Sequence, residues 1–287
     1  MIVMARFCQS LIEAELFSLS NLPFTLHGET RPNAYELSLN PINIYYLSEP
    51  EAYFGNHSWI RENAHLFDLI LTWNHELIRD LPNATFCPFG TSAFHDKLEE
   101  PLNEGNYQDK ERKITFIRGS KHANVSGHHL RHELFARQRE IQNIKTEFYD
   151  KTTPEYASNP EEDIAWFNQR SSIFKTPLFH ICIENTFHEN YFTEKIIDCF
   201  LFRTIPICYG CPNIGEFFDM NGIITFQTVD ELIGICNNLS WHNYEMSSLA
   251  VLKNQIECIK YLNLGATIRE TIKRIFQEKY PDYLKTL

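Results

Sequence analysis

Residues 178–201 constrain this chain more than any other stretch. They open with Leu178-Phe179-His180-Ile181-Cys182-Ile183, a short apolar run that reads as a buried strand. They close with Ile196-Ile197-Asp198-Cys199-Phe200-Leu201, the start of an amphipathic helix. Between the two lies a loop dense in polar and ionisable groups, from Glu184-Asn185-Thr186 to Tyr191-Phe192-Thr193-Glu194-Lys195. A strand, a polar loop and a helix N-terminus make the ligand-binding corner of an open α/β sheet. Free backbone N–H groups and the helix dipole favour an anion there. Lys195 suits phosphate and Glu194 suits sugar hydroxyls, so the corner reads as a nucleotide-sugar pocket.

The alternation continues beyond it. A strand is expected at 205–209, a short helix at 214–218, a strand at 222–226, and helices at 229–239, 247–262 and 266–277. Such alternation implies a parallel α/β unit. Upstream, 42–47, 69–73 and 85–87 read as strands, and Pro88-Phe89-Gly90 breaks the last. Residues 5–20 have helical spacing, and 21–40 are turn-rich and mixed. A further strand starts at 114–117, a helix runs from Arg131 to about Ile144, and 97–112 and 150–163 are polar connectors. The expected architecture is two α/β lobes, 1–105 and 106–287, the first abbreviated.

A chain of 287 residues accommodates both lobes. A net charge of −11 argues against a general nucleic-acid binder, which needs clustered Lys and Arg. A nucleotide site needs only one or two cations. The eight cysteines have no framework spacing, and Cys182, Cys199 and Cys236 sit inside apolar runs, which fits a reducing compartment. The start Met1-Ile2-Val3-Met4 does not read as a signal peptide, and no apolar run reaches the roughly 18 residues of a membrane span. The expectation is a cytoplasmic protein of bacterial or viral type, with peripheral membrane attachment left open.

Glu49 is the candidate general base. It stands at a strand end in Leu47-Ser48-Glu49-Pro50, where a carboxylate faces the ligand side of an α/β lobe. Glu51, two residues on, shares that description. Cys208-Tyr209-Gly210-Cys211 is half of a zinc or redox site, but no second Cys/His pair has matching spacing, so neither use is expected. No D-x-D triplet is present to hold a divalent cation on a diphosphate. The expectation is therefore no metal, with fixed cations stabilising the leaving group.

The corner fits the pattern E-N-[ST]-x4-Y-x-T-E-K and is followed by Thr204-Ile205-Pro206-Ile207-Cys208-Tyr209-Gly210. It resembles the donor-binding motif of glycosyltransferase family 10, the α1,3-fucosyltransferases, with their V-P-V-x-x-G strand and turn. Ser48-Glu49-Pro50, Leu66-Phe67-Asp68 through Leu71-Thr72-Trp73, and Pro88-Phe89-Gly90 follow the family's order, so the resemblance spans about 42–240. Ser48-Glu49-Pro50-Glu51 departs from the family's Glu-Ser-Pro.

The resemblance implies a GT-B fold, two Rossmann-like lobes facing a cleft, with the acceptor on the first and the donor on the second. It implies inverting transfer of L-fucose from GDP-fucose to a hydroxyl of a glycan acceptor. Glu49 inherits the role of base, and Asn185, Tyr191, Glu194 and Lys195 that of contacting the nucleotide sugar. Arg131, near a helix start, would grip the diphosphate with its planar fork. The loop before it is longer than in the animal enzymes, so Arg118, Lys121 and His128 stay open as alternatives. Glu184 and Thr186 match and read as structural. Animal members carry an N-terminal membrane anchor, which this sequence does not show. Two rivals remain: a related transferase for another nucleotide sugar, and a non-catalytic carbohydrate-binding or scaffold protein.

Overall fold

The strands expected at 42–47, 69–73 and 85–87 form, and two strands before them complete a parallel sheet. The computed structural model describes residues 2–4, 15, 16, 19, 22–94, 110–119, 124–151 and 171–284. Most of the helix expected at 5–20, most of both connectors, and Lys121 lie outside the described residues. The chain divides into two compact units, Met1–Gly90 with Asn263–Leu287, and Thr91–Leu262. The expected division gave everything after residue 105 to the second lobe. Instead the helix Leu264–Lys279 belongs to the first unit. It buries Ile268, Ile272 and Phe276, with Phe276 meeting Phe24 at 6.0 Å between ring centroids.

In the first unit β1 (Ile2–Met4), β2 (Phe24–Gly28), β3 (Ile42–Leu47), β4 (Leu69–Thr72) and β5 (Ala84–Phe86) lie side by side in chain order. Every neighbouring pair is parallel. β2 falls in the stretch expected to be turn-rich. Its buried polar residues Thr25 and His27 interrupt the apolar run, and the fold satisfies them: Asn40 donates to the Thr25 hydroxyl at 3.0 Å, and His27 Nε2 donates to Asn43 Oδ1 at 2.9 Å. Helices α1 (Asn56–Asn63) and α2 (His75–Asp80) cover the sheet. Ile60 and Leu77 pack on Tyr45, Leu47 and Ile70.

The second unit has β6 (Glu111–Gly119), β7 (Lys145–Lys151), β8 (Pro177–Ile183), β9 (Ile205–Tyr209) and β10 (Ile224–Thr225), in the order β10-β9-β8-β6-β7, again all parallel. Helix α3 (Ser126–Arg137) begins earlier than expected, and α4 (Glu194–Leu201) begins where the motif ends. β7 was not foreseen. Its sequence, Lys-Thr-Glu-Phe-Tyr-Asp-Lys, is that of a strand at the end of a sheet, where charge faces water.

The strand period of two sorts the side chains of β8 and β9. Phe179, Ile181, Ile183, Ile205, Ile207 and Tyr209 join one apolar cluster, while Cys182 and Cys208 join another with Ile196, Ile197 and Phe200 of α4. A parallel sheet covered on both faces is the outcome this pattern demands. Among the described residues no helix is long and apolar enough to cross a membrane.

Candidate active site

The strand order of the second unit creates the site. The chain runs from β6 to β7 on one side, then places β8 on the other side of β6. Ligands of open parallel sheets bind at such a switch point, beyond the carboxyl ends of the two strands. A cavity of about 160 Å³ lies there. Its walls include Gly119 of β6, Arg131 of α3, Ile181, Cys182 and Ile183 of β8, and Glu194, Lys195 and Asp198 of α4.

The corner is held by Glu184, which is buried. Its carboxylate accepts from the Thr193 amide at 2.8 Å and hydroxyl at 2.8 Å, and pairs with Lys195 Nζ at 3.1 Å. This ties the end of β8 to the start of α4. Lys195 also donates to the Thr193 hydroxyl at 2.9 Å and to Glu194 Oε1 at 3.1 Å. Burial alone would lower its pKa, but Glu184 and Glu194 outweigh that and raise it, so the ammonium stays charged.

Arg131 is buried among the loop carbonyls. Its Nε donates to the Ile183 carbonyl at 3.0 Å, and its Nη2 to the same oxygen and to Asn185 Oδ1 at 3.0 Å. Asn185 Nδ2 in turn faces the buried Tyr191 hydroxyl at 3.5 Å. Asn185 and Tyr191 brace the cavity without being among its walls. Arg118, one of the alternatives to Arg131, lays its guanidinium 4.0 Å from the ring centre of Phe135 and meets His132 at 3.3 Å. His128 is buried in the first turn of α3. Of the described candidates, Arg131 is the one that lines the cavity.

Gly127 is a functional position that sequence reasoning missed. Its amide donates to the Asn185 carbonyl at 3.1 Å, and a Cβ there would stand 1.7 Å from the Glu184 carbonyl oxygen. Only glycine lets α3 approach the loop closely enough for Arg131 to reach it. A glycine in a helix's first turn was the available signal.

One group could hold a soft metal. His180, Cys182 and Cys199 are buried and place their ligand atoms within 4.8 Å of one another. The Thr115 hydroxyl donates to the Ile173 carbonyl at 2.7 Å, so it accepts from His180 Nδ1–H at 2.8 Å, and Nε2 carries the ring's lone pair. The two sulfurs are 3.2 Å apart and each donates to the Lys195 carbonyl. Burial pushes both thiols above their ordinary value, and they pack as small apolar groups. The Cys208/Cys211 pair is buried as well, with Cys211 donating to Asn213 Oδ1 at 3.0 Å.

In the first unit Glu49 stands just past β3. Its amide donates to Glu29 Oε1 at 2.7 Å, and its carbonyl accepts from His57 Nε2 at 2.9 Å. Glu51 has a different task. Its carboxylate accepts from the His57 amide at 2.6 Å and the Ser58 hydroxyl at 2.5 Å, capping α1. Partial burial raises its pKa, but these bonds outweigh burial and hold it below the ordinary value. A carboxylate so occupied is poorly suited to accept a proton, which leaves Glu49 as the better candidate.

Comparisons with known proteins find similarity to glycosyltransferases. Residues 109–249 match the model of the glycosyltransferase family 10 (fucosyltransferase) C-terminal domain. A curated α-(1,3)-fucosyltransferase, FucT, from Helicobacter pylori is 37% identical over 67 residues, which span 22% of this chain and 14% of that protein. A crystal structure of an α1,3-fucosyltransferase superposes with a TM-score of 0.59 at 16% identity, covering 98% of this chain and 91% of that one. One with GDP-fucose gives 0.55 at 17% identity, covering 88% and 81%. A glycosyltransferase from Rickettsia africae gives 0.54 at 9% identity, covering 93% and 80%. At such identities the likeness is one of fold, and the fold is the GT-B type expected from the sequence. Residues 109–249 thus match the C-terminal domain of glycosyltransferase family 10, the fucosyltransferases.

Proposed function

We propose that this chain is an inverting glycosyltransferase that moves L-fucose from GDP-fucose to a hydroxyl of a glycan. The observation that carries the reading is the cavity at the switch point, where Arg131, Glu194 and Lys195 meet inside the domain with the family match. The second unit binds the donor and the first receives the acceptor. Arg131 and Lys195 face the diphosphate and neutralise the charge that builds on departing GDP. Glu194 accepts hydrogen bonds from ribose hydroxyls, and Asn185 and Tyr191 hold the loop that frames them.

Glu49 takes the proton from the acceptor hydroxyl as its oxygen attacks the anomeric carbon. The bond from that carbon to the GDP oxygen breaks in the same displacement, so configuration inverts. Two fixed cations supply the leaving-group stabilisation, and transfer is expected to survive EDTA. The buried free thiols support a cytoplasmic enzyme.

Thermal shifts with GDP, UDP and CMP test the donor. GDP at a hundred times its Kd should stabilise by about 2.7 kcal/mol. A preference for UDP or CMP would sink the fucosyl reading. Glu49→Gln should lower kcat about 100- to 10,000-fold with GDP binding unchanged. Retention of the wild-type rate removes Glu49 as the base.

A further inference from the structure

We propose that Glu29 is a positioning residue for this reaction, holding the catalytic carboxylate of Glu49 through the backbone. The inference rests on the reading of Glu49 as the base. Glu29 follows β2 directly, and β2 pairs with β3 in the register Gly28↔Tyr46. The ladder ends there, so the amides of Ser48 and Glu49, beyond β3, need partners from elsewhere. Glu29 supplies them. Its Oε1 accepts from the Ser48 amide at 2.5 Å, the Ser48 hydroxyl at 2.8 Å and the Glu49 amide at 2.7 Å, while Oε2 accepts from Asn56 Nδ2 at 3.0 Å.

The opposite side of the same peptides is held as firmly. Trp73 Nε1 donates to the Ser48 carbonyl at 2.6 Å. The Glu49 carbonyl can only accept, so His57 Nε2 carries the proton of their 2.9 Å bond, and His57 Nδ1 accepts from Asn74 Nδ2 at 3.0 Å. Glu49 is thereby gripped at its N–H by Glu29 and at its C=O by His57. Such grip matters for a base, because small displacements of a reacting group cost rate.

The arrangement carries a conformational cost. Glu29 has φ of 57°, in the left-handed region that non-glycine residues enter unfavourably. Strain kept at a residue whose carboxylate serves the neighbouring strand end points to a functional demand there.

The test measures GDP release from GDP-fucose with a glycan acceptor on which the wild type turns over, giving kcat and the KM for donor. Rates are normalised to sites titrated with GDP, so that unfolded protein does not count as lost kcat. Glu29→Asp suits the left-handed conformation but withdraws the carboxylate by one methylene, so the amides it leaves unpaired should lower its melting temperature while the site titration keeps that loss out of kcat. It should lower kcat about 10- to 100-fold with KM unchanged within about twofold. Glu29→Gln keeps an oxygen for the three bonds from Ser48 and Glu49 and should stay within about threefold of wild type. In a Glu49→Gln background, Glu29→Asp should change kcat by less than about twofold, because the group it positions is gone.

Wild-type kcat in Glu29→Asp overturns the proposal. So does the same loss in the Glu49→Gln background, or a loss carried by KM. If Glu49→Gln alone keeps kcat, the reading of Glu49 fails, and that is seen independently of Glu29.

Discussion

Replacing Gly127 with alanine should push α3 away from the loop after β8. The added Cβ would stand 1.7 Å from the Glu184 carbonyl oxygen, 2.8 Å from its carbon and 3.0 Å from the Asn185 oxygen. Those atoms are backbone and cannot rotate aside, so the helix must retreat by about 1 Å or more. Helix propensity favours alanine by about 1 kcal/mol. Overpacking against backbone costs about 3 kcal/mol, the upper end of its usual range. Retreat also weakens the bonds of Gly127 and Arg131 to the loop, for about another 1 kcal/mol. The net loss is about 3 kcal/mol, which lowers the melting temperature of a unit this size by about 6–12 °C. Gly234 in the helix Val229–Asn238 is the control, because a Cβ there meets nothing within 4 Å. Gly234→Ala should raise the melting temperature by about 2–4 °C. Scanning calorimetry reads both. A Gly127→Ala protein that melts at or above wild type would refute the close approach of α3.

Glu184→Gln removes the buried countercharge of Lys195 while keeping an oxygen for Thr193, and should cost about 2–3 kcal/mol because Glu194 still pairs with the lysine. An unchanged urea midpoint would count against it. The pKa of Glu51 lies below its ordinary 4.5, so its stabilisation is present above that value and lost as pH falls through the lower, folded one. Glu51→Gln should therefore lower the denaturation midpoint at pH 7 and converge with wild type near pH 2; a gap independent of pH would contradict the assignment. Burial pushes the thiols of Cys182, Cys199 and Cys208 upward, so an aromatic disulfide reagent should label them only as fast as the unit unfolds. Labelling of any of the three within seconds in the native protein would disprove their burial.

Much of the candidate site was legible because its residues are contiguous in the chain. Tyr191, Glu194 and Lys195 sit within one loop and one helical turn, and the strand at 205–209 has the expected bounds. What was not legible depends on partners distant in sequence. β2 looked like turns because Thr25 and His27 are buried polar residues whose partners, Asn40 and Asn43, lie beyond the window of a local reading. Glu29 went unnoticed with it, since nothing in its neighbours announces bonds to Ser48 and Asn56. β7 was hidden by charges that an end strand tolerates. The amphipathic helix Leu264–Lys279 was visible as a helix, but its apolar stripe does not say which sheet it covers. That Glu51 caps α1 is visible only in side-chain positions.

The return of Leu264–Lys279 to the first unit bears on the order in which the protein comes into being. The Ser92 amide donates to the Leu262 carbonyl at 3.2 Å, so the second unit's two ends are neighbours and it is an insertion within the first. On a ribosome, residues 91–262 emerge before the helix that buries Ile268, Ile272 and Phe276. The inserted unit can close while the first still lacks that helix. The inserted unit is then the earlier to mature, although the strands of the first unit leave the ribosome before it.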